Sequence, residues 1–407
     1  MAAHCFDATT FVGPCNHKAR GQHHNPPAPG RSHYLKIKRK QVCNKFFIGM
    51  KRIHTILIIL LLAVTYGEAK KSSDDRQMDD FITSLMKKMT LEEKIGQLNL
   101  GGVGSPKVVG SAIGLDEAIR KGLVSSVGGF DAKAAEDAQK FAVENSRMKI
   151  PLITGLDVVH GYYTIFPIPL ASACSWNMPL LEESARVAAD EASAFGINWT
   201  FAPMVDICRD PRWGRIAEGA GEDPCLGSRI GRAMVRGFQG DDLSKPNTLL
   251  ACVKHFALYG ASEAGRDYNT VSMDPVTMYN YYLPPYKAAF DEGAGSGMTS
   301  FNVVNGVPAT GNKWLLTDLL RDQWKFKGFM VSDANSLAEM SEHGMGGAQR
   351  ITELAMNAGL DMDMSSSLYV LCLKKAVEEK RVPLSRIDAA CRRVLEAKYK
   401  LGLFEDP

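Results

Sequence analysis

The chain has 407 residues, of which 45% are hydrophobic and 23% are charged. These proportions are those of an ordinary soluble globular protein, and they exclude a disordered tail or a bundle of membrane helices. The longest apolar run, Ile56 to Val64, is far shorter than the roughly 20 residues that a membrane-spanning helix needs.

A secretory signal peptide is predicted at residues 50–69. A basic pair follows Met50, then comes an apolar core, and small residues stand at positions −3 and −1 relative to a cut after Ala69, which is the layout of a signal peptide. A buried strand or short helix is the alternative. Residues 1–49, rich in His, Pro and Lys, are then either a product of a wrongly chosen start codon or a disordered basic extension. The expected location of the protein is the periplasm or the exterior.

The basic character of the chain resides in this leader. Residues 1–69 contain ten Lys and Arg against two Asp and Glu, so the totals of 48 and 45 become 38 and 43, a net charge of −5. A mildly acidic chain lacks the basic surface that nucleic-acid binding needs. We therefore expect no nucleic-acid partner, and no membrane association after removal of the signal peptide.

Cysteine usage gives no sign of a metal site. Six of the nine Cys residues follow residue 69, with no CxxC pair and no zinc-finger spacing with His; a structural metal is therefore not expected. Export would permit disulfides, but their pairing cannot be predicted from the sequence.

Helical and strand patterns alternate from about residue 74 onward. After a first apolar-periodic stretch, MDDFITSLMKK, Thr90 with Glu93 three positions later predicts a capping box for a second helix. Later helical patterns include one that ends at Gly196, one that ends at Gly359, and NKWLLTDLLRDQWKF between them.

Six short apolar runs separate these helices, and each changes to polar residues at its end. They are PLITGLDVVHG, INWTFAPMVDICRD, TLLACVKHF, GSGMTSFNVVNG, GFMVSDANS and NAGLDMDMS. Continuous apolar runs are typical of parallel strands buried on both faces. About 340 mature residues, and the lack of a Gly-rich phosphate loop after a strand, favour a (β/α)8 TIM-type barrel over a doubly wound sheet. Such a barrel has its site at the carboxyl ends of the strands.

Two of these strand ends supply candidate catalytic groups. Asp333 follows GFMVS, where a half-desolvated carboxylate can act as a nucleophile or base; a helix N-cap is an equally good interpretation of the pattern. Lys254 and His255 end TLLACVKHF, and both can reach one substrate only where strand alternation breaks down. A Lys paired with a structural carboxylate is the alternative.

Polar residues after two other strands could bind a substrate. The carboxylate of Asp157 suits a pair of neighbouring hydroxyls, although a turn cap explains it equally well and His160 fits a core position better. In the loop CRDPRWGRIAEGAGEDP, Arg215 could donate to hydroxyls and Trp213 could either stack on a sugar or fill the loop. We discount the glycosylation sequon at Asn198 because it lies in a predicted buried strand.

Taken together, these motifs resemble a known family. GLDVVHG, DPRWGR with EGAGEDP, VKHFALYG, FNVVNGVPAT, FKGFMVSDANS and AGLDMDM are similar to the N-terminal barrel domain of glycoside hydrolase family 3, in particular to its bacterial periplasmic β-glucosidases. The resemblance covers about Met78 to Pro407, within a barrel domain that we assign to residues 70–407. It implies that the sequence stops before a second α/β sandwich domain.

The resemblance also implies roles for individual residues. Asp333 would be the nucleophile of a retaining mechanism with a covalent glycosyl intermediate, and Asp157, Arg215, Lys254 and His255 would bind the hydroxyls of the sugar. A retaining site needs a second carboxylate roughly 5–5.5 Å from the first. No metal or organic cofactor is implied, and the expected partner is an oligosaccharide or a glucoside.

The chain departs from the family pattern in two places. Multi-domain members take the acid/base Glu from the second domain, and single-domain members use a His in the loop after the KHF-type motif; the corresponding loop, ALYGASEAGRDYNTVSM, has no His. Glu263 in that loop has no support from the family, so the resemblance implies a fragment of a longer enzyme. Phe301 stands where many relatives carry a Tyr.

A β-glucosidase acting on terminal non-reducing β-D-glucosyl residues is therefore the leading hypothesis. A β-xylosidase or another exo-glycosidase of the family is the nearest alternative. The others are a barrel that binds sugar without turnover and a Schiff-base aldolase or lyase built on Lys254.

Overall fold

The structure, a computed structural model, describes residues 73–102, 114–128 and 132–407. The predicted signal peptide and the extension before it lie outside these residues. In the described part of the chain, no helix combines the length and the apolar character needed to cross a membrane.

The described residues alternate between helices and short strands. The strands are β1 Asn99–Gly102, β2 Ser126–Gly128, β3 Ile153–Leu156, β4 Trp199–Thr200, β5 Leu250–Phe256, β6 Ser296–Thr299, β7 Val303–Val304, β8 Val307–Pro308, β9 Phe329–Val331 and β10 Asp363–Met364. The α-helices are α1 Ser73–Lys88, α2 Leu91–Gly96, α3 Leu115–Arg120, α4 Ala132–Asn145, α5 Pro169–Ala173, α6 Met178–Ser193, α7 Pro224–Gln239, α8 Pro275–Thr277, α9 Pro284–Asp291, α10 Ser336–Glu339, α11 Ala348–Ala358, α12 Leu368–Glu378 and α13 Leu384–Lys400.

Eight parallel strands form one sheet that closes almost completely on itself. Their order is β10-β1-β2-β3-β4-β5-β6-β9, and each neighbouring pair is parallel. The two outermost strands meet through hydrogen bonds of 2.9 Å from Ser332 N–H to the Met362 carbonyl and from Met362 N–H to the Met330 carbonyl. The predicted (β/α)8 barrel is thereby confirmed. Strands β7 and β8 form a separate antiparallel hairpin.

Aromatic side chains from several strands fill the barrel interior. Trp199 is fully buried, packs edge-on against Phe201 and Phe329, and donates its Nε1–H to the Ser296 hydroxyl at 2.8 Å. A Cβ atom on Gly155 would lie 2.6 Å from the Phe201 ring, so this strand approaches its neighbour closely because it carries a glycine there. The interior is a packed core, as in other barrels of this kind.

The helix ends follow the predicted signals. The side chains of Thr90 and Glu93 accept from each other's backbone N–H groups and start α2 with a capping box. Gly359 ends α11 at a φ of 111° and Gly196 follows α6 at a φ of 80°, conformations that favour glycine. The segment predicted from NKWLLTDLLRDQWKF is helical at Trp314–Gln323, but with π-type hydrogen bonding.

Candidate active site

Asp333 lies at the carboxyl end of β9 with one oxygen free. The residue is 9% exposed, and its Oδ1 accepts from the Ala334 N–H at 2.7 Å. Its Oδ2 is buried, has no hydrogen-bond partner, and lies 3.4 Å from Nε2 of His255. Helix α10 begins at Ser336 without a side-chain cap, so the N-cap interpretation of Asp333 is wrong.

The electrostatic environment of Asp333 has two opposing components. Burial raises the pKa of its carboxyl above the ordinary value, while the neighbouring His255, the hydrogen bond from the Ala334 N–H and the charges of Lys254 and Arg215 act in the opposite direction. A carboxylate that has lost part of its hydration but remains near cations is a reactive nucleophile or base.

Strand β5 brings Lys254 and His255 to this same place. Both are nearly fully buried, and the pairing of β5 with β6 shifts register between Val253 and Phe256. Lys254 Nζ lies 2.6 Å from Oδ1 of Asp157, whose side chain is 59% exposed. The expected break in alternation is therefore present, and the carboxylate that pairs with Lys254 belongs to the site.

Asp157 combines an anchored oxygen with exposure to solvent. It follows β3 directly, and its exposed carboxylate is held by the Lys254 ammonium on one side. A carboxylate oxygen can accept several hydrogen bonds. The pair therefore offers acceptors and donors to a hydroxylated ligand at the strand ends.

Arg215 lies on a 3₁₀ turn, Gly214–Glu218, that follows β4. Its guanidinium binds Glu218 through Nε at 2.7 Å and Nη2 at 3.0 Å, and Nη2 also lies 3.1 Å from Nε2 of His255. Burial disfavours the Glu218 carboxylate, but the bonds and charge of Arg215 outweigh it and lower the pKa of Glu218. The fork of Arg215 is thus fixed beside the nucleophile candidate.

Two functional candidates were missed by sequence reasoning. Asp206 accepts from the backbone N–H and from Nδ1 of His255, and Tyr286 OH lies 2.5 Å from the other oxygen of Asp206. Asp206 stands at the end of the apolar run FAPMV, which was a usable signal. No local pattern points to Tyr286, because it lies on α9 and reaches the site only through the fold.

The other polar candidates have structural contacts. Trp213 is fully buried and donates to Oδ1 of Asp267 at 2.8 Å, so it fills the loop. His160 Nδ1 lies 3.0 Å from the carbonyl of Phe166. Asn198 Oδ1 accepts from the Thr154 N–H at 2.9 Å. Phe301 is buried against Tyr268 and Tyr259, with ring centroids 4.6 and 5.8 Å away.

Metal ligands are not grouped in the part of the chain that the structure describes. There, no set of three or more His, Cys, Asp and Glu side chains is placed to hold an ion. The groups that meet at the site are instead an acid with a free oxygen, a second acid paired with Lys, and the His and Arg beside them.

The fold and site together define a TIM-type barrel with a cluster of acidic and cationic side chains at the carboxyl ends of its strands. Residues 90–397 match the model of the glycosyl hydrolase family 3 N terminal domain. The chain belongs to glycosyl hydrolase family 3, within which its barrel is the N-terminal domain.

Curated relatives include β-glucosidases and β-xylosidases. The chain is 44% identical over 335 residues to a periplasmic beta-glucosidase of Salmonella typhimurium, covering 81% of this chain and 43% of that protein. It is 32% identical over 367 residues to a putative beta-xylosidase of Formosa agariphila, covering 84% and 48%. The chain therefore spans less than half the length of these relatives.

Solved structures of β-glucosidases superpose on this chain. A beta-glucosidase from Listeria innocua in complex with isofagomine superposes with a TM-score of 0.77 at 42% identity, covering 81% of this chain and 47% of that one. A beta-glucosidase from Erythrobacter marinus superposes with a TM-score of 0.75 at 31% identity, covering 84% and 47%.

Proposed function

We propose that this chain is the nucleophile-bearing barrel of an exported β-glucosidase. It would release terminal non-reducing β-D-glucosyl residues from oligosaccharides or glucosides, with retention of configuration. The observation that carries the proposal is the free, buried Oδ2 of Asp333 at a strand end, beside His255 and near the charges of Lys254 and Arg215. The likeness to periplasmic and other β-glucosidases supports the choice of glucose.

The first chemical step would form an ester on Asp333. Oδ2 attacks the anomeric carbon, a carbon–oxygen bond to the enzyme forms, and the bond to the leaving group breaks with its electron pair. Asp157 would accept from two neighbouring hydroxyls of the sugar, while Lys254 and Arg215 donate to others. His255 would contact the sugar through its Nε2 edge.

The acid/base Glu would come from polypeptide outside this sequence. Support for this comes from the relatives, of which the chain covers 43% to 48%. Water would then hydrolyse the ester with help from the same Glu, since one group serves as acid and then as base in a retaining mechanism.

A β-xylosidase is the second candidate, because the Formosa relative is so named. Xylose lacks the hydroxymethyl group of glucose, and the contacts described above do not involve that group. Comparing kcat/KM for nitrophenyl β-glucoside and β-xyloside in the full-length enzyme would decide between the two.

The Schiff-base hypothesis and the hypothesis of sugar binding without turnover can be examined at Lys254 and at Asp333. Lys254 is bonded to Asp157 at 2.6 Å, as an ammonium would be, and an ammonium has no lone pair to attack a carbonyl; this contact weighs against a Schiff-base enzyme. A barrel that only binds sugar would leave Asp333 unmodified by any activated substrate.

Covalent trapping tests the proposal. Incubation with 2,4-dinitrophenyl 2-deoxy-2-fluoro-β-D-glucoside should add one fluoroglucosyl group to Asp333, because dinitrophenolate leaves without a proton donor. Peptide mass mapping would locate the adduct. Asp333→Ala should abolish it, whereas Glu263→Gln, an exposed change in a nearby loop, should not. An adduct on Lys254, or an unlabelled chain that still binds glucose, would overturn the assignment.

The proposed export has a separate test. A signal peptide that ends at Ala69 predicts a mature protein that starts at Lys70. Sequencing the amino terminus of the protein from the periplasmic or secreted fraction would check it, and a start before residue 50 in that fraction would contradict it.

A further inference from the structure

A buried acid, Asp206, binds His255 in two ways through one oxygen. Its Oδ2 lies 2.9 Å from the backbone nitrogen of His255 and 2.9 Å from its Nδ1. The side chains of Asp206 and His255 are essentially inaccessible to solvent. An oxygen that accepts from a backbone N–H is also the acceptor for the ring nitrogen beside it, so Nδ1 carries a hydrogen.

Tyr286 fixes the other side of Asp206. Its hydroxyl lies 2.5 Å from Oδ1 of Asp206 and 2.8 Å from the carbonyl of His255. Burial, together with the charge of Asp206, raises the pKa of Tyr286 well above its ordinary value. The phenol therefore stays neutral and acts as a donor, so Asp206 is held as an acceptor at both oxygens.

The other ring nitrogen of His255, Nε2, lies beside a group that can only donate hydrogen bonds. Nη2 of Arg215 lies 3.1 Å from Nε2, and a guanidinium has no acceptor. A hydrogen on Nε2 would point at the hydrogens of Arg215. Nε2 is therefore the acceptor, and the ring is the neutral tautomer with its hydrogen on Nδ1.

We propose that Asp206 is a positioning residue that holds His255 in this tautomer and so keeps Arg215 in place beside the attacking oxygen of Asp333. Nε2 lies 3.4 Å from Oδ2 of Asp333. No hydrogen bond joins these two atoms, and in the opposite tautomer the hydrogen on Nε2 would point at Arg215 and displace its guanidinium from Asp333. This inference rests on the proposed role of Asp333 as nucleophile. Residues behind a ligand or catalytic His commonly set its tautomer.

Nitrogen NMR on the full chain labelled at histidine tests the tautomer directly. The expected spectrum shows Nδ1 of His255 protonated and Nε2 bare at the pH at which Asp333 is labelled. His255→Gln would identify the signal among the nine His residues. If that variant does not fold, ring-proton contacts with Tyr259, whose centroid lies 5.2 Å away, would identify it. A hydrogen on Nε2, alone or with one on Nδ1, would overturn the proposal.

The rate of labelling then distinguishes a positioning role of Asp206 from a role in the stability of the fold. Asp206→Ala should lower the rate constant for labelling Asp333 roughly 10- to 100-fold, with little change in the dissociation constant of the inactivator before reaction. Asp206→Asn should retain most of the rate, since its amide oxygen still accepts from Nδ1–H while its amino group donates to Tyr286. An unchanged rate in Asp206→Ala would refute the proposal, and so would a collapse in Asp206→Asn with folding intact.

Different results would reject the nucleophile role of Asp333 and the positioning role of Asp206. Absence of labelling in the unmodified chain would reject the nucleophile role of Asp333, whereas the tautomer of His255 is measured without any substrate. If Asp206→Ala does not fold, the spectra of the unmodified chain and of Asp206→Asn still decide the question.

Discussion

Burial alone does not distinguish Asp333 from other acids at this barrel. Asp361 is buried between Arg321 and Arg393, and the buried carboxylate of Asp363 accepts from the Ser366 hydroxyl through both oxygens. Asp333 differs because one buried oxygen has no partner. A buried polar atom without a partner costs free energy, so an incoming ligand is the natural partner for it.

The pH dependence of labelling follows from the pKa of Asp333. Because burial raises that pKa, the carboxylate should be lost on acidification at a pH above the 3.8 of an ordinary Asp. Removing the nearby positive charge with Arg215→Gln should move this midpoint to still higher pH, since the cation favours the charged form. The measurement is the labelling rate between acid and neutral pH.

Arg212 provides the matched control for that experiment. It is an exposed arginine paired with Asp210, so Arg212→Gln should leave the midpoint in place. A midpoint that moves down in Arg215→Gln would contradict the electrostatic picture.

Asp157 should contribute to stability as well as to binding. Removing its carboxylate by Asp157→Ala leaves the buried ammonium of Lys254 without its partner. We expect the free energy of unfolding to fall by about 1–3 kcal/mol, measured by urea denaturation. The exposed pair of Lys287 and Asp291 is the control, because Asp291→Ala should change it by only about 0.5 kcal/mol. Equal effects of the two changes would show that Lys254 does not depend on Asp157.

At the scale of elements, helix α13 carries an unusual buried lysine. Lys398 is fully buried and donates to Oε1 of Gln97 at 2.8 Å. Burial lowers the pKa of Lys398 from 10.5 to about 7. The same helix contributes Arg393 to the Asp361 cluster, so α13 packs against the barrel through polar as well as apolar contacts.

The lowered pKa of Lys398 predicts that the free energy of unfolding rises with pH. Between pH 7 and 10.5 the unfolded chain binds the proton and the folded chain does not, so the free energy of unfolding should increase by about 1.4 kcal/mol per pH unit at most. Lys398→Met should remove that slope and stabilise the protein at pH 7, as measured by denaturation at several pH values. Lys400→Met, an exposed change on the same helix, should retain the slope. A slope that persists in Lys398→Met would rule out this source.

The barrel as a whole matches one part of longer relatives. Strand ends bring together Asp333, the pair of Lys254 and Asp157, and His255 with its partner Asp206. The relatives are more than twice as long as the matched segment. The proposed division of labour between this barrel and a second domain rests on this partial coverage.

The dependence of the reaction rate on the leaving group tests whether the proton donor lies outside this sequence. If the acid/base lies outside this sequence, the chain should act on aryl β-glucosides at rates that rise steeply with the acidity of the departing phenol, because nothing protonates it. A full-length relative such as the Salmonella enzyme should show a much flatter dependence. A flat dependence in this chain would place a proton donor within the sequence itself.

The barrel and the place of Asp333 at a strand end could be predicted from the order of the amino acids. Strands buried on both faces leave continuous apolar runs, and a charged residue at the end of such a run marks a strand end; both signals are local. The family motifs then indicated which strand-end groups belong together. Helix-end residues such as Thr90 and Gly359 could also be predicted from the sequence, because a helix end needs particular residue types.

The pairing of those groups is visible in the folded chain and not in its sequence. Lys254 meets Asp157 across 97 residues of sequence, and His255 meets Asp206 across 49. No local period encodes such contacts, because they arise when separate strands bring their ends to one rim. The same is true of the buried Trp213 and of the free oxygen of Asp333: hydrogen bonds and burial depend on neighbours that the chain supplies from a distance.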